Sequence, residues 1–238
     1  MLLLGGRREW RKPSAERLDV PQDPARRRSA AASSTGARAG ATMSVAACIT
    51  GTMNTEQADP ADLASIREAF GVDDGGGSAL GRAAVRAFEA EHGVVLPEPY
   101  RTFVAEVTDG SPAGPPHYGL VGLAELPDDW GDGRPVRDLA RPFPLTSAWL
   151  WEDDPRPGED IEPILEQVFD HGSIVLGTDG CGMYWHLVVT GPHRGHIWLV
   201  TGEGATPFGA EFGFTTGKPG FAGWVEHWAA DKDWFDAE

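Results

Sequence analysis

The strongest constraint on the fold is one change in the spacing of apolar residues along the chain. Apolar residues first recur about every 3.6 positions, as on one face of a helix, and later about every two positions, as on a strand. Helices are predicted over residues 59–71, 78–93 and 97–110, then strands over residues 173–176, 183–190 and 196–201, then a helix around residues 221–228. Grouped helices followed by grouped strands indicate an α+β fold.

Local signals mark the ends of the first two helices. Asp59 offers an N-cap oxygen, Pro60 suits the first helical position, and Gly71 provides a stop. Ser78 is the predicted cap of the second helix, whose apolar stripe begins at Leu80. These signals predict two short amphipathic helices separated by a glycine-rich loop.

The strand predicted over residues 183–190 carries bulky side chains on both of its faces. Trp185 and Leu187 alternate with Tyr184 and Val188. A strand of an open sheet with one solvated face would alternate apolar and polar residues instead. We therefore expect both sides of the sheet to be covered, at least in part.

The first 55 residues differ in composition from the rest. Residues 1–55 are rich in Arg, Ala, Ser, Gly and Pro, and such a segment cannot bury enough apolar surface to offset its chain entropy. It is predicted to be either a disordered basic tail or an over-extended gene start, with translation beginning at Met43 or Met53 rather than Met1. A basic docking arm is the remaining alternative. The folded domain is predicted over residues 56–238.

Charge limits the class of partner. The chain has 20 Lys and Arg against 36 Asp and Glu, a net charge of −16. Residues 1–41 hold 9 basic and 4 acidic residues, so residues 42–238 hold 11 and 32, a net charge of −21. Such a body repels nucleic-acid phosphates and attracts basic proteins. Direct binding of DNA or RNA is therefore not expected.

Targeting signals are weak in this sequence. No apolar run approaches the roughly 18 to 20 residues needed to cross a bilayer, and the three leucines after Met1 fall short of the about 7 to 15 that an export signal requires. Cys48 and Cys181 allow at most one disulfide, a pattern typical of a reducing compartment. We expect a cytoplasmic protein without membrane contact.

The segment Asp179-Gly180-Cys181-Gly182 lies between two predicted strands. A nucleophile site would need a base within reach of the thiol, and only a Cys181, His186 and Asp179 arrangement offers one. The favoured interpretation is a tight strand-to-strand turn, with glycines at positive φ, Asp179 bonded to backbone amides and Cys181 packed as a small hydrophobe.

Other catalytic and metal signatures are not found in the sequence. The seven histidines are scattered, and His193 and His196 at a hairpin turn are better explained as solvated turn residues than as ligands. Neither a phosphate-binding glycine loop nor a Gly-x-Ser-x-Gly elbow occurs. No catalytic residue, metal or cofactor is predicted.

Residues 149–160 combine two indoles with a dense group of carboxylates. The segment is predicted to be a proline-stiffened loop within the region 112–163, in which residues 119–123 and 143–151 are candidates for short strands. Buried tryptophans beside a solvated acidic loop are one interpretation; a protein-binding face is the other. For the second, the candidate residues are Trp149, Trp151, Asp153, Asp154, Glu159 and Asp160.

Three segments together resemble the SMI1/KNR4 family, also called the SUKH superfamily. They are residues 93–103 (GVVLPEPYRTF) with Asp109-Gly110 after them, residues 174–182 (IVLGTDGCG) and residues 191–198 (GPHRGHIW). The resemblance extends over about residues 78–230. Met183 departs from the family, which more often places a polar residue there.

The resemblance implies an α+β domain with a central, mostly antiparallel sheet flanked by N-terminal helices and a C-terminal helix. It implies a non-enzymatic role without a cofactor, since bacterial members are mostly immunity proteins against toxins and fungal members are signalling scaffolds. The residues that match its motifs are then fold-determining: Leu96, Pro97, Tyr100, Phe103, Asp179, Gly180 and Gly182.

Charge and resemblance together favour an immunity protein that blocks the basic surface of a nuclease-type toxin. A regulatory scaffold or adaptor of the same family is the first alternative. A hydrolase that uses Cys181 is the second. The identity of the partner, the binding face and the oligomeric state stay open.

Overall fold

A five-stranded sheet with helices on both faces forms the domain. The computed structural model describes residues 57–71, 78–131 and 136–237. In chain order the elements are α1 (Pro60–Phe70), α2 (Arg82–His92), α3 (Tyr100–Glu106), β1 (Trp149–Leu150), α4 (Gly158–Asp170), β2 (Ser173–Gly180), β3 (Met183–Val188), β4 (Ile197–Val200), β5 (Gly204–Phe208) and α5 (Gly220–Ala229). The strand order is β1-β5-β4-β3-β2, and all neighbours are antiparallel. The predicted α+β fold is confirmed.

The first helix follows its local signals. The amide of Ala61 donates to the Asp59 carboxylate at 2.8 Å, and the helix ends at Gly71. Such a side-chain cap satisfies one of the amides that a helix start leaves without a partner. The prediction of α1 is confirmed at both ends.

The start of α2 was predicted wrongly. Its N-cap is Gly81 rather than Ser78, and no side chain caps it. Leu80 is exposed, whereas Glu89 is buried beside Val85 on the inner face of the helix. A glutamate in a helical pattern is normally a surface residue, but the charge of this one is satisfied by the Arg101 guanidinium and the Leu96 amide.

The two faces of the sheet pack against separate hydrophobic clusters, as the alternation in β3 predicted. Trp185 and Leu187 face the cluster built with helices α1, α2, α3 and α5. Tyr184 and Val188 face a second cluster, to which α4 contributes Val168 and Phe169. Layers on both faces remove the apolar side chains of the sheet from water.

Two elements of the fold were missed. Helix α4 begins inside the segment assigned to a proline-stiffened loop, and Pro163 lies within it. Its last turn buries Val168 completely, and burial of this kind outweighs the helix-breaking tendency of one proline. Strand β5 contains Pro207 and a glycine, which weaken a strand prediction.

The predicted N-terminal tail and the alternative starts at Met43 and Met53 lie outside the described residues. None of the helices in the described part is both long enough and apolar enough to cross a membrane.

Candidate protein-binding surface

The Asp179–Gly182 segment forms the turn between β2 and β3. Gly180 pairs with Met183, and the two residues between them, Cys181 and Gly182, have φ values of +54° and +77°. Positive φ at both central residues is the geometry that favours glycine in two-residue hairpins. Cys181 is exposed, so the expectation that it packs as a small hydrophobe was wrong.

The structure does not bring Cys181 and His186 together. His186 is fully buried, and its Nδ1 lies 2.9 Å from the hydroxyl of Ser173. His186 is three residues into β3, so about 10 Å of strand lies between it and the turn that carries Cys181, whereas a nucleophile and its base require hydrogen-bond contact. The arrangement therefore supplies no catalytic pair at this turn.

Asp179 instead anchors a loop that is remote from it in sequence, residues 115–119. Its carboxylate accepts the amide of His117 at 2.7 Å and the indole N–H of Trp185 at 2.7 Å. The loop lies directly on β2, because a Cβ on Gly177 would come within 2.5 Å of the carbonyl oxygen of Gly119. Only a residue without a side chain permits this approach.

A groove of about 480 Å³ opens beside this loop. We call it the Tyr118 groove, defined by Tyr118, Gly119, Val121, Glu125, Leu126, Pro127, Asp128, Asp129, Thr178 and Gly180. The Tyr118 side chain is 66% exposed, yet its ring lies on Gly180, where an added Cβ would be 3.0 Å from Cε2. The hydroxyl of Thr178 lies 3.1 Å from both the Asp129 carboxylate and the Met183 carbonyl, and its contact with Asp129 joins the two walls.

The predicted acidic and aromatic face lies at the opposite edge of the sheet, where β1 begins at Trp149. Asp154 accepts the indole N–H of Trp149 at 2.7 Å and two guanidinium bonds from Arg156 at 2.9 and 2.7 Å. These bonds, those from Arg156 above all, hold the pKa of Asp154 well below its usual range and raise the pKa of Arg156.

The other four predicted residues of this face differ in exposure. Trp151 is 6% exposed, and its indole N–H donates to the carbonyl of Gly202 at 2.7 Å. Asp153 is exposed, and Glu159 and Asp160 are exposed in the first turn of α4. The carboxylates therefore face solvent around a structured centre, and Trp151 lies beneath them.

The first motif segment contacts the third. Leu96, Tyr100 and Phe103 are buried, and Pro97 is buried beside them. Burial raises the pKa of the Tyr100 hydroxyl. The guanidinium of Arg194, in the loop between β3 and β4, donates to the Leu96 carbonyl at 3.0 Å. This hydrogen bond joins the segment before α3 to the β3–β4 loop.

The sequence profile of the SMI1 / KNR4 family (SUKH-1) matches residues 80–213 of the 238 residues. The chain belongs to this family. All three motif segments of this SMI1/KNR4 chain lie inside the match. No curated protein and no solved structure shows significant similarity to it.

The Tyr118 groove of this SMI1/KNR4 chain was not predicted from the sequence. The contact between His117 and Asp179 joins residues 62 positions apart, and a single sequence carries no signal for such a pair. Gly177 and Gly180 were the available indication, since glycines inside a strand often mark a close approach of another backbone.

Proposed function

We propose that this chain is an immunity-type binding protein that acts inside the cell and neutralises a basic toxin of the nuclease type. It performs no chemistry on the toxin; it covers the surface with which the toxin holds nucleic acid. Family membership supports this role, because bacterial members of the family are mostly immunity proteins.

The observation that carries the proposal is the pair of acidic surfaces at opposite edges of the sheet. Residues 42–238 have a net charge of −21, and exposed carboxylates flank both edge strands of the sheet. A nuclease needs a basic surface to neutralise phosphates. Opposite charge accelerates the encounter of two proteins, and buried anchors then set the lifetime of the complex.

We place one contact at residues 149–160. Asp153, Glu159 and Asp160 present charge to solvent, while Asp154 is bonded to Arg156 and belongs to the structured centre of this face. A structured centre lowers the entropy cost of ordering side chains on binding. Exposed carboxylates would thus steer the toxin, and the half-buried Trp149 ring would contact it.

The first experiment identifies the partner and tests its toxicity. The chain is purified from its native cells, the retained protein is identified by mass spectrometry, and that protein is expressed in cells that lack the chain. We expect arrested growth and nucleic-acid degradation, both relieved by co-expression of the chain. A harmless partner would contradict the toxin role and favour a regulatory scaffold.

The second experiment tests the face. Asp153→Lys, Glu159→Lys and Asp160→Lys are combined, and the matched control combines Glu68→Lys, Glu91→Lys and Asp233→Lys, which changes the net charge equally at exposed sites outside α4. The first variant should associate more slowly and with a weaker salt dependence, and the control should change less. Equal effects would show that only the net charge matters.

A further inference from the structure

We propose that the Tyr118 groove binds an arginine side chain from an extended basic segment of the partner. The inference rests on the proposed function and adds a second contact with a defined chemistry. It assigns a role to a surface that lies at the far edge of the sheet from residues 149–160.

The groove has an aromatic wall in a fixed position. The Tyr118 ring rests on Gly180, and the amide of the preceding residue, His117, is bonded to Asp179. Two thirds of the Tyr118 side chain is nevertheless exposed. An exposed aromatic ring that is held from below offers a flat surface to a ligand without a large ordering cost.

The opposite wall supplies negative charge. The described residues that line the groove include the carboxylates of Glu125, Asp128 and Asp129, and the nearest basic side chain to its aromatic wall is His117, whose ring centroid lies 5.2 Å from that of Tyr118. One oxygen of Asp129 lies 3.1 Å from the hydroxyl of Thr178, which is shared with the Met183 carbonyl at the same distance, so that this carboxylate lies beside β2. Phosphates and acidic peptides are therefore repelled, and a cation is favoured.

Arginine fits these two walls better than lysine does. A planar guanidinium stacks on an aromatic face and directs several N–H donors toward carboxylates in the same plane. The alkyl stem of arginine can lie on Leu126, whose side chain is 44% exposed. A volume of about 480 Å³ holds one such side chain with the adjoining backbone of an extended segment.

The groove and the predicted face are separate surfaces. Strand β2, with Thr178 and Gly180, lies at one edge of the sheet, and β1, with Trp149, lies at the other. Four strand spacings separate the two edges by about 19 Å. Each surface can therefore be changed without altering the other.

The test uses the full chain labelled with ¹⁵N and the acetylated, amidated peptide Gly-Leu-Arg-Gly as the probe. A second peptide carries citrulline, the uncharged analogue, in place of arginine. We expect amide shifts confined to residues 118–129 and 178–182 with the arginine peptide, and much smaller shifts with the citrulline peptide. Tyr118→Ala and Asp128→Asn should each weaken binding about two- to fivefold.

Two variants serve as matched controls. Tyr118→Phe keeps the ring and should bind the peptide as the parent does, and Asp153→Asn removes one charge at the far edge and should also leave binding unchanged. Equal loss with Asp128→Asn and Asp153→Asn, shifts spread over the whole acidic surface, or equal binding of the citrulline peptide would each overturn the groove assignment.

The peptide test is independent of the growth test. Binding in the groove together with a harmless partner would remove the toxin role and leave the arginine site in place. Relief of toxicity without peptide binding would support the proposed function and overturn the groove.

Discussion

Replacing Glu89 with glutamine should destabilise the domain by about 2 to 3 kcal/mol. The Glu89 side chain is 9% exposed and accepts bonds from Arg101 at 2.7 and 2.8 Å and from the Leu96 amide at 2.9 Å. Glutamine keeps one oxygen for the amide, but its NH₂ group would face a guanidinium N–H. The variant thus removes the negative charge of residue 89. It also places two hydrogen-bond donors, the new NH₂ group and the Arg101 N–H, against each other.

The magnitude follows from the exposure of the two partners. Removing one partner of a fully buried ion pair costs about 3 to 5 kcal/mol. The side chain of Arg101 is 24% exposed, so water recovers part of this energy and the lower estimate applies. Glu89→Ala should cost about 1 kcal/mol more, because the Leu96 amide then also lacks its acceptor.

Urea unfolding followed by tryptophan fluorescence measures these changes as shifts in the free energy of unfolding at a constant slope. Glu226→Gln is the matched control, since Glu226 pairs at 3.3 Å with Lys218, whose side chain is 74% exposed, and should cost about 0.5 kcal/mol or less. A Glu89→Gln variant as stable as this control would refute the reasoning.

The hairpin turn, the acid range and the start of helix α4 each give a measurable expectation. Gly180→Val should lower the free energy of unfolding in urea by about 1 to 3 kcal/mol, and by more than Gly182→Val does. Both sites have positive φ, but only the Cβ at Gly180 meets a tyrosine ring. Equal losses in the two variants would contradict this reason. Asp154 has a lowered pKa in the folded state, so it stabilises the fold above about pH 4, and this contribution is lost as the pH falls. In Asp154→Asn the melting temperature should therefore change less with pH over that acid range. A pH profile of the melting temperature like that of the parent would contradict the assignment. Glu159→Gln and Asp160→Asn, in the first turn of α4, should each cost about 0.3 to 1 kcal/mol, an effect that 1 M NaCl should reduce.

Those parts of the fold that depend on local sequence were predictable. Asp59, Pro60 and Gly71 define α1 without any information from the rest of the chain. Helix α4 and strand β5 depend on their neighbours instead. Pro207 is tolerated in β5 because β1 pairs only with Gly204 and Ala205, which leaves the outer edge beside the proline unpaired.

The candidate site also has one part that the sequence predicts and another part that it does not. The turn around Gly180 could be predicted because glycines between strands have a local conformational cause. The placement of Tyr118 on that turn could not, since it depends on a loop whose anchor, Asp179, is remote in sequence. Composition identified the acidic character of the protein, but burial separates Trp151 from the exposed carboxylates around it.

Helices α1 and α5 lie outside the segment that matches the family profile, yet both complete the core. Ile66 of α1 and Trp224 of α5 are fully buried, and the Phe70 ring lies 6.0 Å from that of Trp228. A fragment trimmed to residues 80–213 would expose the apolar surface that these helices cover, and a surface of that kind promotes aggregation. In this chain, the smallest piece that can be grafted or produced separately must therefore carry both flanking helices.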